Sequence, residues 1–262
     1  MNGYLIRPAR STDLPTLSRW LCRAVELPAQ AQDRLLVVES NDGNLPLRAS
    51  LRLVTAIGLA LPRVSYHVGC TVHAAQDLGL FHQQRTLFLG HDLTGASELA
   101  DMAWERDGVS QADQASALRA LVAGAIHSLA QRRGQFGQRL VAELQGPVDS
   151  AGQSPFWQGL GRHFYAGDPA AARTVHGLSW RSHVASLLPR HPLYISFLPD
   201  PAQAAIAQVR QTDQLLREVL ENAGLRYAQH VNVEDAGPIL EVLIDDLPAL
   251  CNPSGQAPAI TD

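Results

Sequence analysis

The sequence predicts an α/β fold in which a mixed, twisted sheet is flanked by helices. Strand and helix signals alternate over the first 168 residues, in the order strand, helix, three or four strands, helix, strand, helix. The clearest element is a helix over 112–131, where small and apolar residues form a wide stripe. Because 46% of the 262 residues are hydrophobic, the chain can bury a sizeable core.

The amino-terminal elements carry strand and helix-cap signals. A short strand is predicted over 5–8, and residues 11–13 open a helix because they combine a capping side chain with an early acidic group. An apolar strand over 34–39 precedes a turn at 41–44 and a β-prone stretch over 47–59. This order predicts a β-hairpin after the first helix.

The later elements alternate in the same way. Strands at 85–89 and 98–103 precede the striped helix, and a strand over 138–144 precedes a helix opened by Ser154. The carboxy-terminal part is predicted to contain helices over 179–188 and 212–222 and strands over 226–233 and 239–244.

The basic residues exclude several kinds of chemistry. All 21 are arginine, and the chain contains no lysine. A lysine-dependent phosphate loop, a Schiff base and a pyridoxal phosphate site all need an amine that this chain lacks. The net charge of -4, without a basic run, also argues against nucleic acid as a partner.

The cysteines and the apolar segments point to an intracellular protein without a metal site. Cys22, Cys70 and Cys251 are widely spaced and form no CxxC pair, so neither a disulfide framework nor a zinc site is predicted. His67 and His73 flank Cys70, but no fourth ligand at suitable spacing accompanies them. No signal-peptide pattern or membrane-length apolar stretch is present, so we expect a cytoplasmic location without membrane association.

Six sequence blocks, in order along the chain, carry a resemblance to a known family. They are 66–69 (YHVG), 86–89 (TLFL), 92–99 (DLTGASEL), 141–146 (VAELQG), 154–164 (SPFWQGLGRHF) and 235–238 (DAGP). Together they resemble the successive blocks of the arginine N-succinyltransferases, over about residues 1–245.

The resemblance implies a GNAT-like acyl-CoA N-acyltransferase fold and an activity in arginine catabolism, the transfer of succinyl from succinyl-CoA to the α-amine of arginine. It also implies two halves. Residues 1–168 would form the acyl-CoA-binding half, and residues 169–248 a smaller α+β half packed on it. Residues 249–262 are rich in Pro, Gly, Ala and Ser and are predicted to be a disordered tail.

The same resemblance implies where the acyl donor would bind. In this fold the strand at 98–103 splays from its neighbour, and its free backbone groups pair with the pantetheine arm. The following loop and helix start bind the pyrophosphate with backbone N–H groups. Met102 stands where a family leucine is associated with succinyl-CoA binding. The expected donor-binding residues are Leu99, Asp101, Met102, Ala103, Arg106 and Gly108.

Three departures from the family pattern leave the activity open. The phosphate loop keeps only Gly108 and carries Asp107, and Asp113 follows in the first turn of the helix, where like charge opposes an anionic cofactor. Arg210 stands where the family has a proton-donor histidine, and arginine does not titrate near neutral pH. At 27–33 a family segment that shapes the acceptor pocket is missing.

Two alternatives to arginine succinylation follow from these departures. One is a non-catalytic or regulatory subunit that pairs with an active, full-length paralogue. The other is an acyltransferase of specialised metabolism with a different amine acceptor or another acyl-CoA. The family resemblance also implies assembly as a homodimer.

Glu143, His163 and Asp92 are the candidate catalytic residues, each with a structural alternative. Glu143 lies mid-strand in an apolar context and could be a structural hydrogen-bond acceptor. His163 would end a helix that approaches the thioester in GNAT folds, or would only cap that helix. Asp92 would position substrate or close a turn together with Thr94.

Overall fold

The computed structural model describes residues 3–30, 32–40, 46–177 and 179–251, and its centre is a ten-stranded sheet. The strands are β1 (Tyr4–Pro8), β2 (Arg34–Ser40), β3 (Leu47–Val54), β4 (Ser65–Ala75), β5 (Leu80–Gly90), β6 (Ser97–Trp104), β7 (Arg139–Glu143), β8 (Leu193–Tyr194), β9 (Arg226–Val231) and β10 (Pro238–Leu243). The helices are α1 (Leu14–Leu21), α2 (Gln111–Gln131), α3 (Pro155–Gly159), α4 (Pro169–His176), α5 (Ser179–Ala185), α6 (Asp200–Ala205), α7 (Gln214–Asn222) and α8 (Pro248–Cys251).

The sheet is mixed and continuous, as the sequence predicts. Its strand order is β1-β2-β3-β6-β7-β10-β9-β4-β5-β8. Strands β6 and β7 run parallel, and the other neighbouring strands run antiparallel. Because β9 and β10 lie between β7 and β4, strands from both predicted halves share one sheet. The boundary at 168 stays a prediction.

Helices cover both faces of the first part of the sheet, and β2 shows why. Its side chains alternate: Leu36 and Val38 pack into the core formed with α2, while Leu35 and Val37 pack against α1. A strand buried on both faces reads as a continuous apolar run, which is the pattern of β2. Helix α7 packs beside α2 on the same face.

A second core holds the remaining strands. Strands β4, β5 and β9 pack against the region that contains α3 to α6. Its centre is aromatic, with the Trp157 ring 6.0 Å from the Trp180 ring and 6.3 Å from the Tyr165 ring, both edge-on. None of the helices in the described parts of the chain is long and apolar enough to cross a membrane.

Most predicted elements are confirmed, and several details differ. The strand predicted over 47–59 ends at Val54, because the backbone of Ile57 then bonds to Gly95 and Ala96 instead of a strand. The helix predicted over 179–188 ends at Ala185 in tight turns. The helix predicted over 212–222 begins as a 3-10 turn, and α7 starts at Gln214.

The short strand β8 and the helices α4 and α6 are not predicted from the sequence, and neither is the long strand β4. Its residues alternate poorly, because His67, Gly69 and Cys70 interrupt the β-prone ones. Pairing along the full length of β5 holds it in place. The predicted turn at 41–44 and residues 252–262 of the predicted tail lie outside the described residues, and α8 occupies the start of that tail.

Ion pairs of Arg7 tie edge strand β1 to the chain that follows it. The Arg7 guanidinium bonds to Asp13 at 2.7 and 3.0 Å and also contacts Glu39 on β2. Burial alone would raise the pKa of Asp13, but hydrogen bonds from Arg7 and from the Arg10 backbone N–H outweigh burial and lower that pKa below its ordinary value.

We expect Asp13→Asn to cost about 1 kcal/mol of unfolding free energy near pH 7, because a charge-assisted bond becomes a neutral one. A lowered carboxyl pKa stabilises the fold above the ordinary aspartate pKa, and this stabilisation is lost as pH falls. Urea unfolding of both proteins between pH 7 and pH 3 should therefore show the difference shrink below about pH 4. A difference that stays constant with pH would show that the Asp13 charge adds nothing.

Candidate active site

Strands β6 and β7 separate after a short parallel ladder. They pair at Ser97 with Leu140 and at Glu98 with Val141, and the ladder ends there. A bulge in β6 accompanies the separation, because its register against β3 shifts and Asp101 adopts a φ of 51°. Within the described ranges of the chain, the rest of β6 pairs with β3 alone, so its other backbone edge is free along the gap.

The gap opens into a cavity of about 2010 Å³. This is more than one compact small molecule needs, and the length of β6 along one wall suits an extended ligand. The other walls come from the end of α1, the loop that leads into α2, the end of β7 and the loop before β10. Among the described residues, no group of three or more His, Cys, Asp or Glu side chains is placed to hold a metal ion.

In the loop between β6 and α2, the Glu105 carboxylate binds backbone N–H groups of the same loop. Glu105 Oε1 accepts hydrogen bonds from the backbone N–H groups of Arg106 at 3.2 Å and Asp107 at 3.3 Å. Arg19 Nη2 and Trp20 Nε1 of α1 each lie 3.3 Å from Glu105 Oε2. The Glu105 carboxylate therefore occupies the place where loop amides would receive a phosphate.

The arginine of this loop is also engaged. Arg106 Nη2 lies 2.9 Å from Asp213 Oδ1, and its guanidinium carbon lies 4.2 Å from the centre of the Trp104 ring. At the start of α2, Ser110 Oγ accepts the Asp113 N–H at 3.2 Å and donates to the Asp113 carboxylate at 2.7 Å. The helix start therefore carries a negative side chain of its own.

A buried network of charges crosses the cavity wall between the two cores. Arg63 Nη2 lies 2.8 Å from Glu98 Oε1 and also contacts Glu143. Arg181 Nη2 lies 2.7 Å from Glu143 Oε1. Arg181 in turn contacts Glu234 in the loop before β10. Burial raises the pKa of the Glu98 carboxyl, and the Arg63 charge offsets only part of this rise.

Residues 22–249 match the family model described as arginine N-succinyltransferase beta subunit. The chain belongs to the arginine N-succinyltransferase family. Relatives named arginine N-succinyltransferase are 35% identical over 253 residues in Shigella flexneri and 34% identical over 229 residues in Salmonella arizonae. The alignments cover 91% and 86% of this chain but 71% and 64% of those relatives, so the chain spans about two thirds of their length.

A solved structure shares the fold of this family member. The structure of arginine/ornithine succinyltransferase subunit AI from Pseudomonas aeruginosa matches 96% of this chain and 80% of its own chain, with a TM-score of 0.76 and 23% sequence identity. The α/β fold with a mixed sheet flanked by helices that the sequence predicts is confirmed by this match.

The donor-binding residues expected from the arginine N-succinyltransferase resemblance lie mostly on the cavity. Gly108, whose φ is 71°, lies in the loop after β6 and is not one of the lining residues. The side chain of Asp101 is held by Arg23 and by Arg52, the latter at 3.0 Å, which leaves backbone groups for a ligand. The five lining residues are Leu99, Asp101, Met102, Ala103 and Arg106.

The three candidate catalytic residues are not brought together. Glu143 lines the cavity, but two guanidiniums hold it. His163 is exposed at the end of a 3-10 turn, outside the lining. Asp92 is also outside it, half-exposed, with Oδ2 3.5 Å from His230 Nε2. The geometry favours the structural alternative for Glu143, and the catalytic roles of all three residues stay predictions.

Sequence reasoning missed the partners of the buried acids. Arg63 and Arg181 lie 35 residues or more from the carboxylates that they bind, and no local pattern marks them. The available signal was indirect. Glu98 and Glu143 stand in apolar strands, and a carboxylate buried there needs a cationic or hydrogen-bonding partner.

Proposed function

We propose that this protein transfers the succinyl group of succinyl-CoA to the α-amine of arginine or a closely related amine. The observation that carries the proposal is the gap between β6 and β7, a free strand edge along an extended cavity, in a chain of the arginine N-succinyltransferase family. An added strand-like ligand pairs with such an edge through main-chain hydrogen bonds, and a pantetheine arm has the amide groups to do so.

The proposed reaction is direct transfer. The neutral amine attacks the thioester carbonyl carbon, the tetrahedral oxyanion is held by backbone N–H groups of the free β6 edge, and the carbon–sulfur bond then breaks. CoA leaves as the thiolate, and the proton of the attacking amine ends on that thiolate or on water. The products are the N-succinyl amine and CoA, and no covalent intermediate is needed.

The charge of the cavity supports a cationic acceptor. Its lining carries eleven carboxylates and eight guanidiniums, and burial raises the pKa of two of those carboxyls, Glu98 and Asp235, so negative charge exceeds positive charge by three when all are ionised and by one when these two are protonated. A cavity with an excess of one sign concentrates ligands of the opposite sign. The guanidinium of a free arginine suits such a cavity, whereas the anionic donor depends on local positive groups.

The alternatives are less well supported. A non-catalytic subunit would explain why Glu105 binds the loop amides, but the family match includes both strands of the gap. A different acceptor would fit the missing acceptor segment. Cytoplasmic location and assembly as a homodimer, or with a full-length paralogue, stay proposals.

The test is an assay of the purified chain with succinyl-CoA and arginine. The N-succinylated product is followed by mass spectrometry, because Cys22 and Cys70 are exposed and would react with a colorimetric thiol reagent. Acetyl-CoA and ornithine serve as alternative donor and acceptor. Turnover by the isolated chain would contradict a non-catalytic role, and no product with any acyl-CoA and basic amino acid would remove the proposed activity.

A further inference from the structure

Arg210 is a cavity-lining guanidinium for which the described residues supply no ion-pair partner. Its backbone is fixed, since the Arg210 N–H donates to Gln145 O and the Asp213 N–H donates to Arg210 O, both at 2.8 Å. Its Nε is buried and makes no hydrogen bond, and in the described parts of the chain its side chain forms no ion pair. A buried polar atom without a partner calls for an explanation, and a bound ion or ligand is one of them.

The nearest acid along the chain is already occupied. Asp213, three residues after Arg210, binds Arg106 at 2.9 Å and the Thr212 hydroxyl at 3.2 Å through the same oxygen, Oδ1. The two arginines therefore differ: Arg106 is neutralised by Asp213, while Arg210 keeps its charge for the cavity. In a lining with an excess of carboxylates, Arg210 is a local positive site.

Its position points to the acyl donor. Beyond the last paired residues, Glu98 and Val141, Met102 on β6 and Gln145 after β7 both line the cavity. Because its N–H donates to Gln145 O, Arg210 stands on the β7 side of the gap, and Asp213, three residues later, binds Arg106 in the loop that follows β6. A ligand laid along the free edge of β6 passes this point.

We propose that Arg210 forms the anion subsite of this cavity and binds an oxyanion of the acyl donor, either the pyrophosphate of CoA or the terminal carboxylate of the succinyl group. The planar guanidinium can donate two parallel hydrogen bonds to either group. This inference rests on the proposed function and names the residue that selects an anionic donor.

The experiment compares Arg210→Gln and Arg210→Lys with the parent protein. Arg119→Gln is the matched control, because Arg119 is exposed on α2, outside the cavity, and bonds to Ser116. Calorimetric titrations use CoA, succinyl-CoA, acetyl-CoA and phosphate-free succinyl-pantetheine. We expect Arg210→Gln to raise Kd roughly tenfold for the ligands that carry the recognised anion, and Arg210→Lys to raise it less. The lysine variant decides the test if the glutamine variant does not fold.

The pattern of losses identifies the anion. Equal losses for CoA, acetyl-CoA and succinyl-CoA assign the pyrophosphate, and losses confined to the two succinyl esters assign the carboxylate. Unchanged Kd values for all four ligands would overturn the subsite. If the parent protein binds no CoA ester, the proposed function fails separately, and inorganic pyrophosphate and succinate become the probes. Anion binding that Arg210→Gln abolishes then sustains the subsite, and no anion binding by the parent overturns it.

Discussion

Replacing Arg63 with methionine should lower the free energy of unfolding by about 3–5 kcal/mol. Arg63 is buried between Glu98 and Glu143, and the side chains of all three are less than 20% exposed. The variant leaves the carboxylates of the network with Arg181 alone, so at least one buried negative charge loses its partner. A buried carboxylate that has lost its partner either stays ionised at a high cost in free energy or takes up a proton.

Urea unfolding at pH 7 measures the effect, and Arg217→Met is the matched control. Arg217 also pairs with a glutamate, Glu221, at 2.8 Å, but both side chains are about one-third exposed on α7. We expect the control to lose less than about 0.5 kcal/mol, as exposed pairs one helical turn apart do. A loss below about 1 kcal/mol for Arg63→Met would mean that solvent reaches the network and screens its charges.

The double variant Arg63→Met with Glu143→Gln tests whether uncompensated negative charge causes the loss of stability. Removing a guanidinium and one of its carboxylates together leaves less uncompensated charge than removing the guanidinium alone. We expect the double variant to be more stable than Arg63→Met. Equal stability would show that Glu98 alone determines the cost.

The first part of the fold could be predicted because its signals are local. The apolar stripe of α2 and the continuous apolar run of β2 each follow from a few neighbouring residues. Strand order could not be predicted in the same way. Strands β9 and β10 enter the sheet between β7 and β4, and nothing within their own sequences identifies those neighbours.

The candidate site could likewise be predicted only where its parts are local in sequence. The splayed strand and the loop before α2 could be located from the family resemblance, because both are continuous in sequence. The groups that set the charge of the cavity come from distant segments: Arg63, Arg181 and Glu234 meet around Glu143 only in the folded chain. Arg106 is expected from the sequence to bind the donor, but in the folded chain its guanidinium is already paired with Asp213.

Replacing Glu105 with alanine should strengthen CoA binding roughly 10- to 100-fold. Glu105 accepts the N–H groups of Arg106 and Asp107, which are the groups that a pyrophosphate would use. Its charge also repels the cofactor. Removing the carboxylate frees both donors and removes that repulsion.

Calorimetric titration with CoA at two salt concentrations measures the change. Glu26→Ala is the control, because Glu26 also lines the cavity as a carboxylate, whereas the N–H groups of Arg106 and Asp107 donate to Glu105. A general electrostatic effect would strengthen binding equally in both variants and would fade equally with salt. A gain specific to Glu105→Ala assigns the effect to the freed amides.

The opposite outcome is equally informative about the loop. Glu105 also joins it to α1 through Arg19 and Trp20, so the carboxylate holds the loop against that helix. If Glu105→Ala weakens CoA binding, this anchoring matters more than the two occupied amides. Glu105→Gln separates the two effects, because it keeps a hydrogen-bonding side chain without the charge. Stronger binding by the glutamine variant and weaker binding by the alanine variant would assign repulsion to the charge and anchoring to the side chain.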